Sequence, residues 1–284
     1  MQMNLPFRRQ EYYAVKGVRW SFETEVWRQD ANGQGDTTSL VDSVPTAYPA
    51  GRTTPVRWQQ AVFGPSLPDS RAGVPASDPQ SWVFRDGDSL TVAVPMYADG
   101  GRDRLGLAVV DSEHTSLSRN GVAVGASDAL GQQVFALPAG QAQYVLTKTV
   151  RRPAELYQLS TEIESAWTFR SERTPDGKAT PQPLMTVRYE PALDERNQAP
   201  AGRFDVPVTV EHRYGVVPRA VVSLTIEASY DGSTWHPLAV RRSDHGWVAE
   251  TDQPGGSLVS LRAHAVDSAG NAVEQTIHNA YSVR

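Results

Sequence analysis

Residues 255–284 read G-G-S-L-V-S-L-R-A-H-A-V-D-S-A-G-N-A-V-E-Q-T-I-H-N-A-Y-S-V-R, and this stretch decides the fold. Val259, Leu261, Ala263 and Ala265 alternate with Ser260, Arg262 and His264. A period of two places one set on a buried face and predicts a strand. Asp267-Ser268-Ala269-Gly270-Asn271 follows with turn chemistry: an Asp side chain able to cap, then Gly-Asn where φ turns positive. The chain leaves again through Ala272 to Ile277, with Val273 and Ile277 on one parity. The pattern is a closing hairpin of a β-sandwich.

Outward from that hairpin the same signals recur. Trp20, Phe22, Thr24 and Val26 share one parity and Arg19, Ser21, Glu23 and Glu25 the other, which predicts a half-buried strand. Thr38–Val44 and Pro55–Phe63 read as further strands, and Pro65–Gln80, rich in Pro, Ser, Asp and Gly, as a long surface loop. Leu90, Val92, Val94 and Met96 alternate after the Asp86-Gly87-Asp88 turn, and Leu105, Leu107 and Val109 build the next strand. Asn120-Gly121 is the strongest short hairpin signal, joining Thr115–Arg119 to Val122–Gly125. Val134–Leu137 and Tyr144–Val150 complete the first half. Strands at roughly ten-residue spacing, almost without helical periodicity, predict a sandwich or jelly roll.

Arg151-Arg152-Pro153 reads as a linker, because proline disfavours helix before it and ends a ladder. The expectation is an all-β chain of two tandem β-sandwiches: a jelly-roll-like domain over residues 1–152, and a fibronectin-III or immunoglobulin-like one over 153–284. The second opens with Leu156–Ser171; Leu184–Tyr189, Phe204–Val210 and Val221–Ala228 are expected strands, and Trp247–Glu250 leads into the closing hairpin. Trp167-Thr168-Phe169 echoes Trp20-Ser21-Phe22, a hint of duplication that rests on few residues.

Composition bounds the rest. The formal charge is −5 without a basic block, which argues against a nucleic-acid partner. No run approaches the ~20 consecutive apolar residues of a helical membrane span. There is no cysteine, so disulfides, thiol catalysis and Cys-ligated zinc are excluded. Met1–Gln10 has no apolar signal region, so the sequence is either cytoplasmic or a piece of a longer exported protein; the residues below favour the piece.

Several phrases carry a resemblance: Trp167-Thr168-Phe169-Arg170-Ser171, Pro183–Tyr189, Leu193-Asp194 through Asn197–Gly202, Ala228–Trp235 and Leu261–Asn271. Arg9-Gln10-Glu11-Tyr12-Tyr13 and Val94-Pro95-Met96-Tyr97 extend it into the first half. Together they resemble the non-catalytic region that follows the catalytic domain in large secreted bacterial subtilisin-like serine peptidases. The resemblance implies a secreted, non-enzymatic accessory region. Its partners would be a catalytic domain in the same polypeptide and a protein substrate or cell-surface polymer. The subtilisin phrases D-[ST]-G, H-G-T-H and G-T-S-M-A do not occur in the sequence. Without nucleophile, base and oxyanion loop, no acyl-transfer mechanism follows, and no catalytic residue is assigned. The alternative is a stand-alone carbohydrate- or cell-wall-binding module.

Four groups invite a sharper reading. Asp30, Asn32 and Asp36 have spacing that calcium ligands sometimes show, but position twelve is Val41 where an EF-hand needs a bidentate Glu, so a hairpin turn is the better account. Calcium is the one cofactor the sequence leaves open. Ser229-Tyr230-Asp231-Gly232-Ser233-Thr234-Trp235 resembles an Asp-box one residue short, a folding device rather than a site. Ser243-Asp244-His245-Gly246-Trp247 sets a Ser, an acid and a base side by side, too close in sequence to meet as a triad. Tyr12, Tyr13, Trp27, Trp58 and Trp82 could offer a sugar an aromatic platform, though most such rings are core.

Overall fold

The computed structural model describes residues 6–29, 32–68 and 82–284. Among them there is no helix, and every ladder but one is antiparallel. The first half contributes β1 (Glu23–Gln29), β2 (Gly35–Ser43), β3 (Val83–Asp86), β4 (Ser89–Val92), β5 (Arg104–Ala108), β6 (Ser112–Arg119), β7 (Val122–Ser127), β8 (Gln133–Ala136) and β9 (Ala142–Arg151). Next come β10 (Glu162–Ser171), β11 (Thr180–Pro181), β12 (Met185–Tyr189), β13 (Gln198–Ala199), β14 (Gly202–His212) and β15 (Val221–Ser229). The last are β16 (His236–Pro237), β17 (Ala239–Ser243), β18 (Gly246–Gln253), β19 (Leu258–Asp267) and β20 (Ala272–Val283).

Four sheets result. The largest runs β16-β15-β19-β20-β10-β9-β6-β7, with β13 added in parallel to β20. The sheets β11-β3-β4-β8 and β12-β14-β18-β17 share a core with it, and β1-β2-β5 is the fourth among the described residues. The hairpin expected over residues 259–277 forms β19 and β20. Asp267 closes it: Oδ1 accepts from the amides of Ala269 (2.8 Å) and Asn271 (2.9 Å), and Gly270 takes φ 79°. The other hairpin also forms as expected, with Asn120 and Gly121 at φ 49° and 79°, the positive values that a two-residue turn needs.

The large sheet crosses the middle of the chain without a break. β9 and β10 pair residue for residue from Arg151↔Glu162 to Ala142↔Ser171. Arg151-Arg152-Pro153 therefore begins a connection between two bonded neighbours. A second ladder, β11 with β3, also joins the halves. One hydrophobic core runs from Ala61 through Leu146 and Trp167 to Val283.

Trp167 is a fully buried member of it, with Nε1 donating to the Met185 carbonyl at 2.7 Å. Phe169 stacks on Tyr144 at 5.9 Å between centroids. The echoing pair, Trp20 and Phe22, is only half-buried and lies near the β1-β2-β5 sheet. The facing layer is tied to the large sheet by an amide: Gln275 of β20 accepts from the Val187 N–H (3.1 Å) and donates to the Val187 carbonyl (2.7 Å). A side chain thus satisfies both backbone groups on the outer edge of β12, as a neighbouring strand would.

Two expectations are corrected. Pro55–Phe63 is not a strand, because its backbone is satisfied by side chains from distant segments. The Gln59 N–H donates to Asp99 Oδ2 (2.8 Å), the Ala61 N–H to Asn197 Oδ1 (3.0 Å), and Asn197 Nδ2 to the Gln59 carbonyl (3.1 Å). The strand from Ser89 stops at Val92, although Val94 and Met96 stay buried. Residues 69–80 of the expected surface loop, and Asp30 of the calcium group, lie outside the described residues.

Truncating a fully buried aromatic typically costs ~3–5 kcal/mol. Trp167→Ala is expected to lower the unfolding free energy by about that much, read by denaturant titration; an unchanged midpoint would mean that the ring is not a core member. On the same sheet Lys148 and Glu113 form a buried ion pair at 2.7 Å. Glu113→Gln strands the ammonium and should cost ~3–5 kcal/mol, whereas Glu113→Leu with Lys148→Met should come out close to neutral. Equal losses in both variants would contradict the ion-pair account.

Candidate functional site

The inward parity of β9 carries two cations. Tyr144, Leu146, Lys148 and Val150 point into the core, and the same alternation continues to Arg152, just past the strand, only 5% exposed. Lys148 has its carboxylate. Arg152 has none among the described residues. Its guanidinium carbon lies 4.2 Å from the Tyr157 ring centroid, 4.4 Å from Tyr97 and 5.0 Å from Phe63, so aromatic rings take the place of an acid. Nε donates to the Ser160 carbonyl (3.1 Å) and Nη2 to the Leu159 carbonyl. Burial pulls the guanidinium down to about 10, with the electrostatic influence of Tyr97 and Tyr157 opposing it.

Arg152 forms part of the lining of an open cavity of about 420 Å3. One wall comes from β1 and β2, through Val26, Trp27, Thr38 and Ser39. Phe63 and the connection Leu156–Leu159 form the other. Trp27 is 52% exposed. The Tyr157 hydroxyl donates to the Thr38 carbonyl, fixing the connection to β2.

A second cluster arises from register. Glu162 of β10 lies opposite His278 of β20, and Glu164, two residues on, shares their face. Ligand atoms of the three fall within 4.8 Å of one another. A carboxylate-and-imidazole set suits zinc or a similar borderline cation. The charges are also matched internally, with Arg151 Nε 2.8 Å from Glu162 and His278 Nε2 3.5 Å from Glu164.

The groups singled out in the sequence fare differently. Of the calcium group, Asp36 is exposed in β2, and Val41 of the same strand is buried. Asp231 behaves as the Asp-box reading expects. Oδ1 accepts from the amides of Thr234 (2.7 Å) and Ser233 (2.8 Å), Gly232 takes φ 76°, and Trp235 packs half-buried under Arg262. Those amide bonds, Thr234 first, hold the Asp231 carboxyl well below the usual range. Ser243, Asp244 and His245 are exposed at the β17–β18 turn, and no hydrogen bond links them.

The aromatic candidates do not form a row. Tyr13, Trp20, Phe22, Tyr48 and Trp58 cluster with mostly edge-on contacts, Trp58 lies 3.4 Å beneath Arg104, Trp82 is buried, and Tyr12 stands out into solvent.

Sequence reasoning missed Arg152, Glu162, Glu164 and His278 as site residues. Strand parity carried through Val150 would have placed Arg152 inside. The Glu–His cluster needed the β10–β20 register, which no local pattern encodes. No known family model matches the chain, and no curated protein matches it detectably.

Because the folded carboxyl of Asp231 is depressed, its contribution to stability is full above the ordinary carboxylate range and is lost as pH falls through the folded value. Asp231→Asn should therefore melt below the parent at neutral pH, and the gap should close in strong acid. A gap independent of pH would refute the capping role.

Proposed function

We propose that this chain is the non-catalytic β-region of a secreted subtilisin-like serine peptidase. Its role would be to bind protein substrate or a surface polymer and to orient the catalytic domain or support its folding. We read its halves, residues 1–152 and 153–284, as a jelly-roll-like and a fibronectin-III-like sandwich fused through the β9–β10 ladder. The observation that carries this is where the family-like phrases fall. Trp167–Ser171 is the core of β10, Pro183–Tyr189 builds β12, and Leu261–Asn271 makes β19 and its cap. Leu193–Asn197 forms a clamp in which Asp194 caps its own turn and Asn197 holds the loop at residues 59–61. These phrases are accounted for by architecture, as an accessory body requires.

The test uses the purified chain on insoluble keratin and collagen against insoluble polysaccharides, with a fluorophosphonate probe and a casein assay alongside. Retention on the proteins without labelling is the expected result. Retention on polysaccharide alone would move the assignment to a carbohydrate-binding module. Stoichiometric labelling of one serine would overturn the non-catalytic reading, since labelling demands an activated nucleophile.

A further inference from the structure

We infer that the cavity at Arg152 is a binding site for a carboxylate carried on an apolar body, of the kind a peptide presents at its C-terminus. It stands on the cavity alone and does not depend on the reading above. A guanidinium has two usable edges and two faces. Here the edge formed by Nε and Nη2 is occupied by the Ser160 and Leu159 carbonyls. Tyr97, Tyr157 and Phe63 pack around the guanidinium. What remains is the end-on edge, Nη1 with the second hydrogen of Nη2, which has no protein acceptor among the described residues. That edge matches the spacing of two carboxylate oxygens.

Burying a cation without a counter-ion costs free energy. Two carbonyl hydrogen bonds and three ring contacts offset that cost only in part, and the remaining charge is matched by an acid that arrives from outside. The cavity has the size of small-ligand sites. Its walls suit such a body: Val26, Trp27, Leu156 and Leu159 offer apolar surface, and Thr38, Ser39, Gln59 and Gln158 offer polar groups to an amide as well. Two exposed charges also line it. Arg28 reinforces the attraction and Glu155 opposes it, and neither pairs with Arg152.

The experiment is an NMR titration of the intact chain, following the indole N–H of Trp27 (assigned with Trp27→Phe) and adding N-acetylphenylalanine, N-acetylphenylalaninamide, glucuronate or sodium sulfate. The acid is expected to shift the Trp27 signal saturably and to bind about tenfold or more tightly than the amide, which lacks only the charge. Arg152→Gln should abolish that difference. Should this variant not fold, Gln158→Trp decides instead. It places bulk at an exposed lining position and should weaken the acid at least about fivefold, leaving the melting midpoint unchanged. The proposal is overturned if acid and amide bind alike, if nothing saturates in the millimolar range, or if Gln158→Trp leaves the affinity intact. Tighter binding of glucuronate would reassign the site to acidic sugars, and equal binding of sulfate would reduce it to a general anion site.

Discussion

The ten-residue pairing of β9 with β10 is the constraint on which the other contacts rest. It fixes which face of each strand looks inward, and so puts Tyr144, Leu146, Ile163, Trp167 and Phe169 into a single core. It also carries Lys148 and Arg152 to the same face, because a strand cannot turn one residue outward without turning its neighbours. The two cations are resolved differently: Lys148 by a carboxylate from β6, Arg152 by rings and carbonyls.

Around that sheet, polar side chains do the joining that strands do not. Arg188 of β12 is buried and donates to the carbonyls of Gly64, Pro65 and Asp99. The Asp99 carboxylate accepts from the amides of Gln59 and Gly101. Burial pushes this carboxyl above its ordinary range, while Arg104 is the strongest influence pulling it back. The loop at 57–65 therefore has a defined path without belonging to any ladder, and it connects the β1-β2-β5 side of the molecule to β12. Networks of this kind hold only when nearly every member is satisfied.

Legibility in the sequence followed the range of the interaction. The Asn120-Gly121 hairpin and the Asp267 cap are local, and turn chemistry alone announces them. The burial of Trp167 and Phe169 is legible from alternation. Pro55–Phe63 was not, since its partners, Asp99 and Asn197, stand far along the chain and compete with strand pairing for the same backbone groups. β17 passed unnoticed because Ala239-Val240-Arg241-Arg242-Ser243 presents a mostly exposed face with little apolar signal. Arg152 lay within reach of parity, but Pro153 beside it reads as the end of structure. The cluster of Glu162, Glu164 and His278 depends on a register that only the folded sheet sets.

The strand order has a consequence for how the molecule is made. β10 lies between β9, its immediate predecessor, and β20, which follows only after all of β11 through β19. During synthesis one edge of β10 can zip at once, while the other, in the middle of the finished sheet, waits for a strand not yet translated. Contacts of such long sequence separation are slow to form. In the interval the unpaired edge and the indole of Trp167 are open to other chains, a hazard typical of waiting β-edges. The nascent chain thus has reason to meet a chaperone before β20 arrives.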